Sequence, residues 1–220
     1  MNRFLRCLIA AGVAVLGALE ANPAGAAPTL EQLTNMDYRG IFDHPVRLQN
    51  GRWEDDPFVA GGTSRPAVGL VDDFLLTGDL NTDGQDEAVV LLWESSGGSG
   101  TYHYIAVVGQ REGAPFNLGT ALIGDRVQVR AGRIAGNRIE LDVVQPGPND
   151  AACCPSQKAM RFWTFDAAGL HVNASKNTGT LSLADLAGPE WVLNRLKSDE
   201  PLPAQPEITL VFDEIGRAHV

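Results

Sequence analysis

Asp79, Asn81, Asp83 and Glu87 place side-chain oxygens at alternate positions of Asp79-Leu80-Asn81-Thr82-Asp83-Gly84-Gln85-Asp86-Glu87. Gly84 lets the chain bend, and Gln85 can add its backbone carbonyl. A hard cation that accepts mixed side-chain and backbone oxygens at about 2.3–2.6 Å suits this set, and Ca²⁺ is that cation. An EF-hand would carry a bidentate Glu at the twelfth position, which here is Val90, inside an apolar run. The other reading is an Asx-turn held by side-chain to backbone hydrogen bonds without metal. Any calcium affinity would fall in the weak extracellular range, about 10⁻⁴–10⁻³ M.

A second pair of reactive residues is Cys153-Cys154, followed by Pro155. Adjacent Cα atoms are about 3.8 Å apart across a trans peptide, less than the usual disulfide span of roughly 4.4–6.8 Å. A vicinal disulfide, a bridge to another cysteine and a pair of free thiols all remain open. A catalytic cysteine is disfavoured, because no histidine stands at a motif spacing and no Cys-x-x-Cys is present. Ser95-Ser96-Gly97-Gly98-Ser99-Gly100-Thr101 lacks the Gly-Lys-Ser/Thr ending of a phosphate loop and reads as a hairpin connection. It is not a Gly-x-Ser-x-Gly nucleophile elbow either. His44, His103 and His171 are scattered and carry no ligand spacing. Trp53, Trp93, Trp163 and Trp191 stand at strand-like positions and read as core.

The Asp-rich loop resembles the calcium-type turns of FG-GAP and VCBS repeats, in which a strand follows the loop directly. One copy is present, which excludes a propeller built from such repeats.

These residues are positioned by a chain of short strands. Thr29-Leu30-Glu31-Gln32 predicts a capping box opening a short helix. Val46–Leu48 and Arg52–Glu54 flank Asn50-Gly51 and predict a hairpin, because Asn-Gly takes positive φ readily. Further strands are expected at Ala67–Leu70, Ala88–Trp93, Tyr102–Val108, Leu118–Ile123 and Arg126–Val129. Arg138–Val144, Met160–Phe165 and Leu170–Val172 complete the set. Tyr102 and Tyr104 should share one strand face. Strands at this spacing with Gly-rich turns predict a mainly β fold, an antiparallel sheet or sandwich-like domain with one short N-terminal helix. The polar stretch 177–183 is the expected domain boundary.

Both ends of the chain need separate treatment. Arg3 and Arg6 precede the apolar run Cys7–Leu19, and Ala24-Gly25-Ala26 offers a cleavage site, so residues 1–26 read as a signal peptide. The run is shorter than the roughly 20 residues a bilayer helix needs. Cys7 precedes the run and is not placed as a lipoprotein cysteine. The mature chain is expected in the periplasm or outside the cell, where cysteines oxidise. At the other end, Glu214-Ile215-Gly216-Arg217-Ala218-His219-Val220 is what GAG-ATC-GGA-AGA-GCA-CAC-GTC encodes. It resembles a sequencing-adaptor read translated in frame, so 214–220 is expected not to be native sequence.

Residues 186–193 (Leu-Ala-Gly-Pro-Glu-Trp-Val-Leu) and 206–212 (Pro-Glu-Ile-Thr-Leu-Val-Phe) resemble the opening two strands of a META (DUF306, HslJ-like) domain of bacterial envelope proteins. The Gly-Cys-Asn segment usual in that family is absent. The resemblance implies that 179–213 is a truncated META-like hairpin. It also implies that 27–178 is the β-rich envelope domain often placed before it, itself similar to LppP/LprE-type lipoproteins. The Asp-Gly loop, the Ser/Gly segment and Cys-Cys-Pro carry that second likeness.

Charge narrows the partners. Seventeen Lys and Arg oppose 27 Asp and Glu, for a net charge of −10, and the signal segment takes away two of the bases and one acid. A polyanionic nucleic acid finds no electrostatic footprint on such a chain. No apolar run after Ala27 is long enough for a membrane span. The function expected is a non-enzymatic, exported cell-envelope module that binds an envelope partner or ligand, with Ca²⁺ as its candidate cofactor. A secreted metal-dependent hydrolase using Asp79, Asp83 or Glu87 is the rival in another class; a lysozyme-inhibitor-like envelope protein is a third reading.

Overall fold

Residues Ala88 to Leu92 are buried without a break, and burial on both faces of one strand requires three layers. Val89 and Leu91 enter one apolar cluster, whereas Ala88, Val90 and Leu92 enter another. The neighbouring strand splits the same way: Ile105 and Val107 face the first cluster, Ala106 and Val108 the second. Alternation of Cβ direction along a strand produces this division. A computed structural model describes residues 25–182, 185, 187, 190–193, 209–213 and 217–219. The expected signal segment, apart from Gly25 and Ala26, lies outside the described residues.

The central layer is an antiparallel sheet of β3 (Arg52–Glu54), β4 (Ala67–Gly78), β5 (Glu87–Ser95), β6 (Tyr102–Arg111) and β7 (Ala114–Asp125), hydrogen-bonded in chain order. The second layer contains β8 (Gln128–Ala135), β9 (Arg138–Gln145), β10 (Gln157–Asp166) and β11 (Gly169–Val172). Also in this sheet, β12 (Lys176–Thr180) shares β10 with β11, pairing with its first half while β11 pairs with its second. Ile139, Leu141, Val143 and Trp163 of this sheet close the first cluster from the other side. The sheet edges also approach: Leu170 packs over Gly119, and Phe74 over Gly132. The protein is therefore mainly β, with antiparallel sheets, one of them curled into a half-barrel.

The third layer is the N-terminal segment. Helix α1 (Leu30–Leu33) begins with the predicted capping box, in which Gln32 N donates to Thr29 Oγ1 and Thr29 N to Gln32 Oε1. Leu33, Met36, Tyr38, Val46 and Leu48 cover the outer face of the central sheet. The Tyr38 hydroxyl donates to Leu33 O at 2.9 Å, which satisfies a phenol that burial has made much harder to ionise.

The predicted Val46–Glu54 hairpin is corrected here. Asn50 and Gly51 do take positive φ (50° and 80°), and Gln49 bridges Arg52. Beyond that bridge the arms part, however. Val46–Arg47 (β2) pairs with Asp37–Tyr38 (β1), and β3 pairs with β4. The turn passes the chain from the outer layer to the edge of the central sheet, and core packing of Val46 and Leu48 overrides local pairing.

Strand β4 outruns its expected end at Leu70. Leu70 pairs with Leu92 and Leu75 with Val90, so 71–74 bulges out before pairing resumes. Arg126, expected at the start of a strand, has φ 50° and lies in the turn before β8. Lys176–Thr180 makes the first half of the expected boundary stretch a strand of the second sheet. Farther on, Glu190–Val192 (β13) pairs with Thr209–Phe212 (β14), which pairs with Ala218–His219 (β15). Among the described residues, no helix is long and apolar enough to cross a membrane.

Candidate functional site

The Asp-rich stretch is the connection between β4 and β5, and its side chains fold back on its own backbone. Asp79 accepts from Asp83 N at 3.1 Å and from Gly84 N at 3.0 Å. Asn81 Oδ1 accepts from Asp83 N at 2.9 Å, and Asp83 Oδ1 from Gln85 N at 2.8 Å. Thr82 and Gly84 supply the positive φ (62° and 85°) that curls the chain around these acceptors. Asp86 N donates to Gly25 O, tying the loop to the N-terminal segment.

Glu87 differs from the other carboxylates because it starts β5 and is only 2% exposed. It accepts from Leu80 N at 2.8 Å and from Asn81 Nδ2 at 3.0 Å. The same Asn81 amide donates to Asp83 Oδ2 at 3.0 Å, so one NH₂ group bridges two carboxylates. Burial raises the Glu87 pKa above the usual carboxylate range, and the charges of Asp83 and Asp79 add to the rise.

Among the described residues, no three His, Cys, Asp or Glu side chains are grouped so as to hold a metal ion. The donor chemistry still suits calcium. Each carboxylate oxygen that accepts one N–H retains a second lone pair. The Asn81 amide hydrogens occupy the gap between Asp83 and Glu87, so a cation there would require that amide to turn. Gln85 is exposed. A cavity of about 410 Å³ adjoins the loop, lined by Asn81, Leu118 and the β10–β11 turn from Phe165 to Gly169.

Cys153 and Cys154 are bonded to each other in the β9–β10 connection, and both are exposed. Asp150 organises that loop, accepting from Gly147 N at 2.7 Å, Ser156 N at 2.6 Å and Ser156 Oγ at 2.8 Å. These bonds hold its carboxyl below the usual range, with Gly147 N contributing most. Ser96–Thr101 connects β5 and β6 as expected. Ser64 Oγ and Arg126 Nη2 donate to Gly97 O and Ser99 O at 2.7 and 2.6 Å.

Of the histidines, His44 pairs with Asp43 and His171 with Asp166, both on the surface. His103 is half-buried, and its Nδ1 has no hydrogen-bond partner. Trp163 is fully buried, whereas Trp53 and Trp93 are partly exposed. Trp93 lies across Gly69, where a Cβ would come within 2.4 Å of Nε1, and Arg52 stacks on its ring at 5.2 Å.

Two buried carboxylates had no motif to announce them. Glu94 accepts from Ser96 Oγ. Glu140 lies beneath Arg133 and Arg138, which hold its pKa down, the hydrogen bond from Arg133 foremost. Arg133, Arg138 and Glu140 do alternate with apolar residues around the Gly136-Asn137 turn, the one sequence signal that cross-strand charges would meet.

Comparison of the chain with protein-family models, curated proteins and solved structures gives no match. The fold class is that of a mainly β protein with antiparallel sheets, its apolar clusters lying on both faces of the central sheet and an acidic loop closed on its own backbone joining β4 to β5.

Proposed function

We propose that the mature chain is an exported, non-enzymatic module of the cell envelope that binds an envelope partner or ligand, with a β4–β5 loop that takes Ca²⁺ as a structural ion. The META resemblance of 186–193 and 206–212 supports the envelope setting, and the leader-like residues 1–26 support export. The observation that carries the calcium reading is Glu87. A carboxylate 2% exposed, opposed by Asp79 and Asp83 in its own loop, is an arrangement that a divalent cation relieves.

Asp79, Asn81, Asp83 and Glu87 would supply side-chain oxygens, and Gln85 its carbonyl. Such an ion stabilises the folded chain by mass action and needs no reaction to be useful. Mg²⁺ fits less well, because it demands a smaller octahedral shell and keeps its waters. Thermal unfolding of the mature chain in chelator and in millimolar Ca²⁺ tests the ion. A glycosidase, esterase and phosphatase screen tests the non-enzymatic half: turnover lost in Glu87→Ala would install the hydrolase reading instead.

A further inference from the structure

The disulfide in the β9–β10 connection joins two neighbours in sequence, Cys153 and Cys154. We propose that this pair is a reversible thiol–disulfide exchange site, which accepts two electrons from an external dithiol and returns them to an external disulfide. The bond is then a reactive group on the surface and not a staple of the fold. It shares no residue with the acidic loop and stands or falls without the calcium reading.

Three observations separate it from a structural cross-link. A disulfide stabilises chiefly by closing a loop of the unfolded chain, and that effect grows with the number of residues enclosed. Here the two cysteines are adjacent, so the bond leaves the unfolded chain almost as free as before. The connection also has a frame of its own. Asp150 accepts from Gly147 N, Ser156 N and Ser156 Oγ, which closes residues 147–156 from both ends. Cys154 N donates to Ala151 O at 2.9 Å, and Pro155 is buried. None of these contacts involves sulfur, so none depends on the bond. Finally, both cysteines are exposed, and exposed disulfides are the ones that external thiols reach.

The exchange balances within its two reactants. A thiolate of the dithiol attacks one cysteine sulfur, a new S–S bond forms, and the Cys153–Cys154 bond breaks. The cysteine released as a thiolate takes up a proton. The second thiol of the reductant, once ionised, attacks the reductant's own sulfur in the mixed disulfide. The dithiol leaves as a cyclic disulfide, oxidised by two electrons, and Cys153 and Cys154 remain as thiols. An external disulfide reverses these steps. The only other cysteine of the sequence, Cys7, lies in the leader-like segment, so within residues 27–220 the reduced pair re-forms the same bond. The protein is the substrate of this exchange, which requires no turnover of another compound.

The test follows reduction of the mature chain by dithiothreitol, quenched by alkylation and read by intact mass, in native buffer and in urea. The same bond in the unfolded chain supplies the reference rate. Native reduction within about tenfold of that reference is expected, because access governs the rate. Reduction should lower the melting temperature by less than about 4 °C, since the bond encloses almost no chain. Oxidised glutathione should then restore the disulfide, and Cys154→Ser should take up one glutathione at Cys153 as a mixed disulfide. Should that variant not fold, the wild-type measurements decide alone. Native reduction slower than the reference by more than about tenfold, a larger fall in melting temperature, a reduced pair that oxidised glutathione leaves unchanged, or a folded Cys154→Ser that takes up no glutathione overturns the proposal.

Discussion

Glu87→Gln separates a calcium loop from a metal-free turn, because the two readings give the substitution different consequences. The amide keeps a carbonyl oxygen for the 2.8 Å bond from Leu80 N, so the buried N–H stays satisfied. What disappears is a charge that burial and the neighbouring Asp83 and Asp79 already disfavour, together with the acceptor of the 3.0 Å bond from Asn81 Nδ2, whose amide keeps Asp83 as a partner. These two effects oppose each other, so in chelator the variant should stay within about 1 kcal/mol of wild type. In calcium, wild type should be clearly the more stable. With an affinity of about 10⁻⁴–10⁻³ M, roughly 10 mM Ca²⁺ adds about 1.4–2.7 kcal/mol to wild type by mass action. At about 2–4 °C per kcal/mol for a chain of this size, the melting temperature should rise by about 3–11 °C, and most of that rise should vanish in Glu87→Gln. The pH dependence has a definite sign too. A carboxyl whose folded pKa is raised contributes its stability below the unfolded value of about 4.5 and loses it as pH climbs through the raised value. Metal-free wild type should thus weaken over that interval relative to Glu87→Gln, and calcium should remove the difference. Differential scanning calorimetry of both proteins, with and without chelator, is the assay. A wild-type melting temperature indifferent to Ca²⁺ would refute the calcium reasoning, and a Glu87→Gln destabilised in chelator by clearly more than the roughly 1 kcal/mol of one lost hydrogen bond would refute the electrostatic account.

Gly69→Ala places a Cβ 2.4–2.6 Å from three atoms of the Trp93 indole; displacement of the ring should cost about 1–3 kcal/mol and shift tryptophan emission, measured by urea unfolding. Tyr38→Phe deletes the 2.9 Å bond to Leu33 O inside the outer cluster, and a loss of about 1–2 kcal/mol is expected by the same method. For the bonded Cys153–Cys154 pair, the intact mass of the protein purified under oxidising conditions should lie about 2 Da below the dithiol, with both cysteines in one linked proteolytic peptide; two alkylatable thiols in that material would contradict it.

The parts of this molecule legible in its sequence are those that local chemistry decides. Thr29 and Gln32 announce the capping box because both partners lie within one turn. The Asp79–Glu87 connection was recognisable because its acceptors and Gly84 sit at fixed offsets. Longer-range facts were hidden for separate reasons. Asn50-Gly51 gives a correct turn, but the partners of its arms are set by strands distant in sequence. Asp72-Asp73 looks like the end of a strand, whereas it is a bulge after which pairing with β5 resumes. β12 is exposed along its whole length, so no apolar alternation could mark it. The continuous run Ala88–Leu92 is compatible with a buried strand or a helix segment, and only the second apolar layer explains why both faces are dry.

The burial of Glu87 depends on that same layering. As the first residue of β5 it inherits the position of a core strand while belonging chemically to the loop before it. Leu80 is fully buried and its backbone N–H reaches Glu87, so the acidic loop cannot swing away from the sheet without exposing a core side chain and breaking a charge-assisted bond. An ion held there would act where β4 and β5, two inner strands of the central sheet, are joined, beside Leu80 of one apolar cluster and Ala88 of the other. This coupling is why unfolding temperature, a global quantity, is an appropriate reporter for a site confined to nine residues.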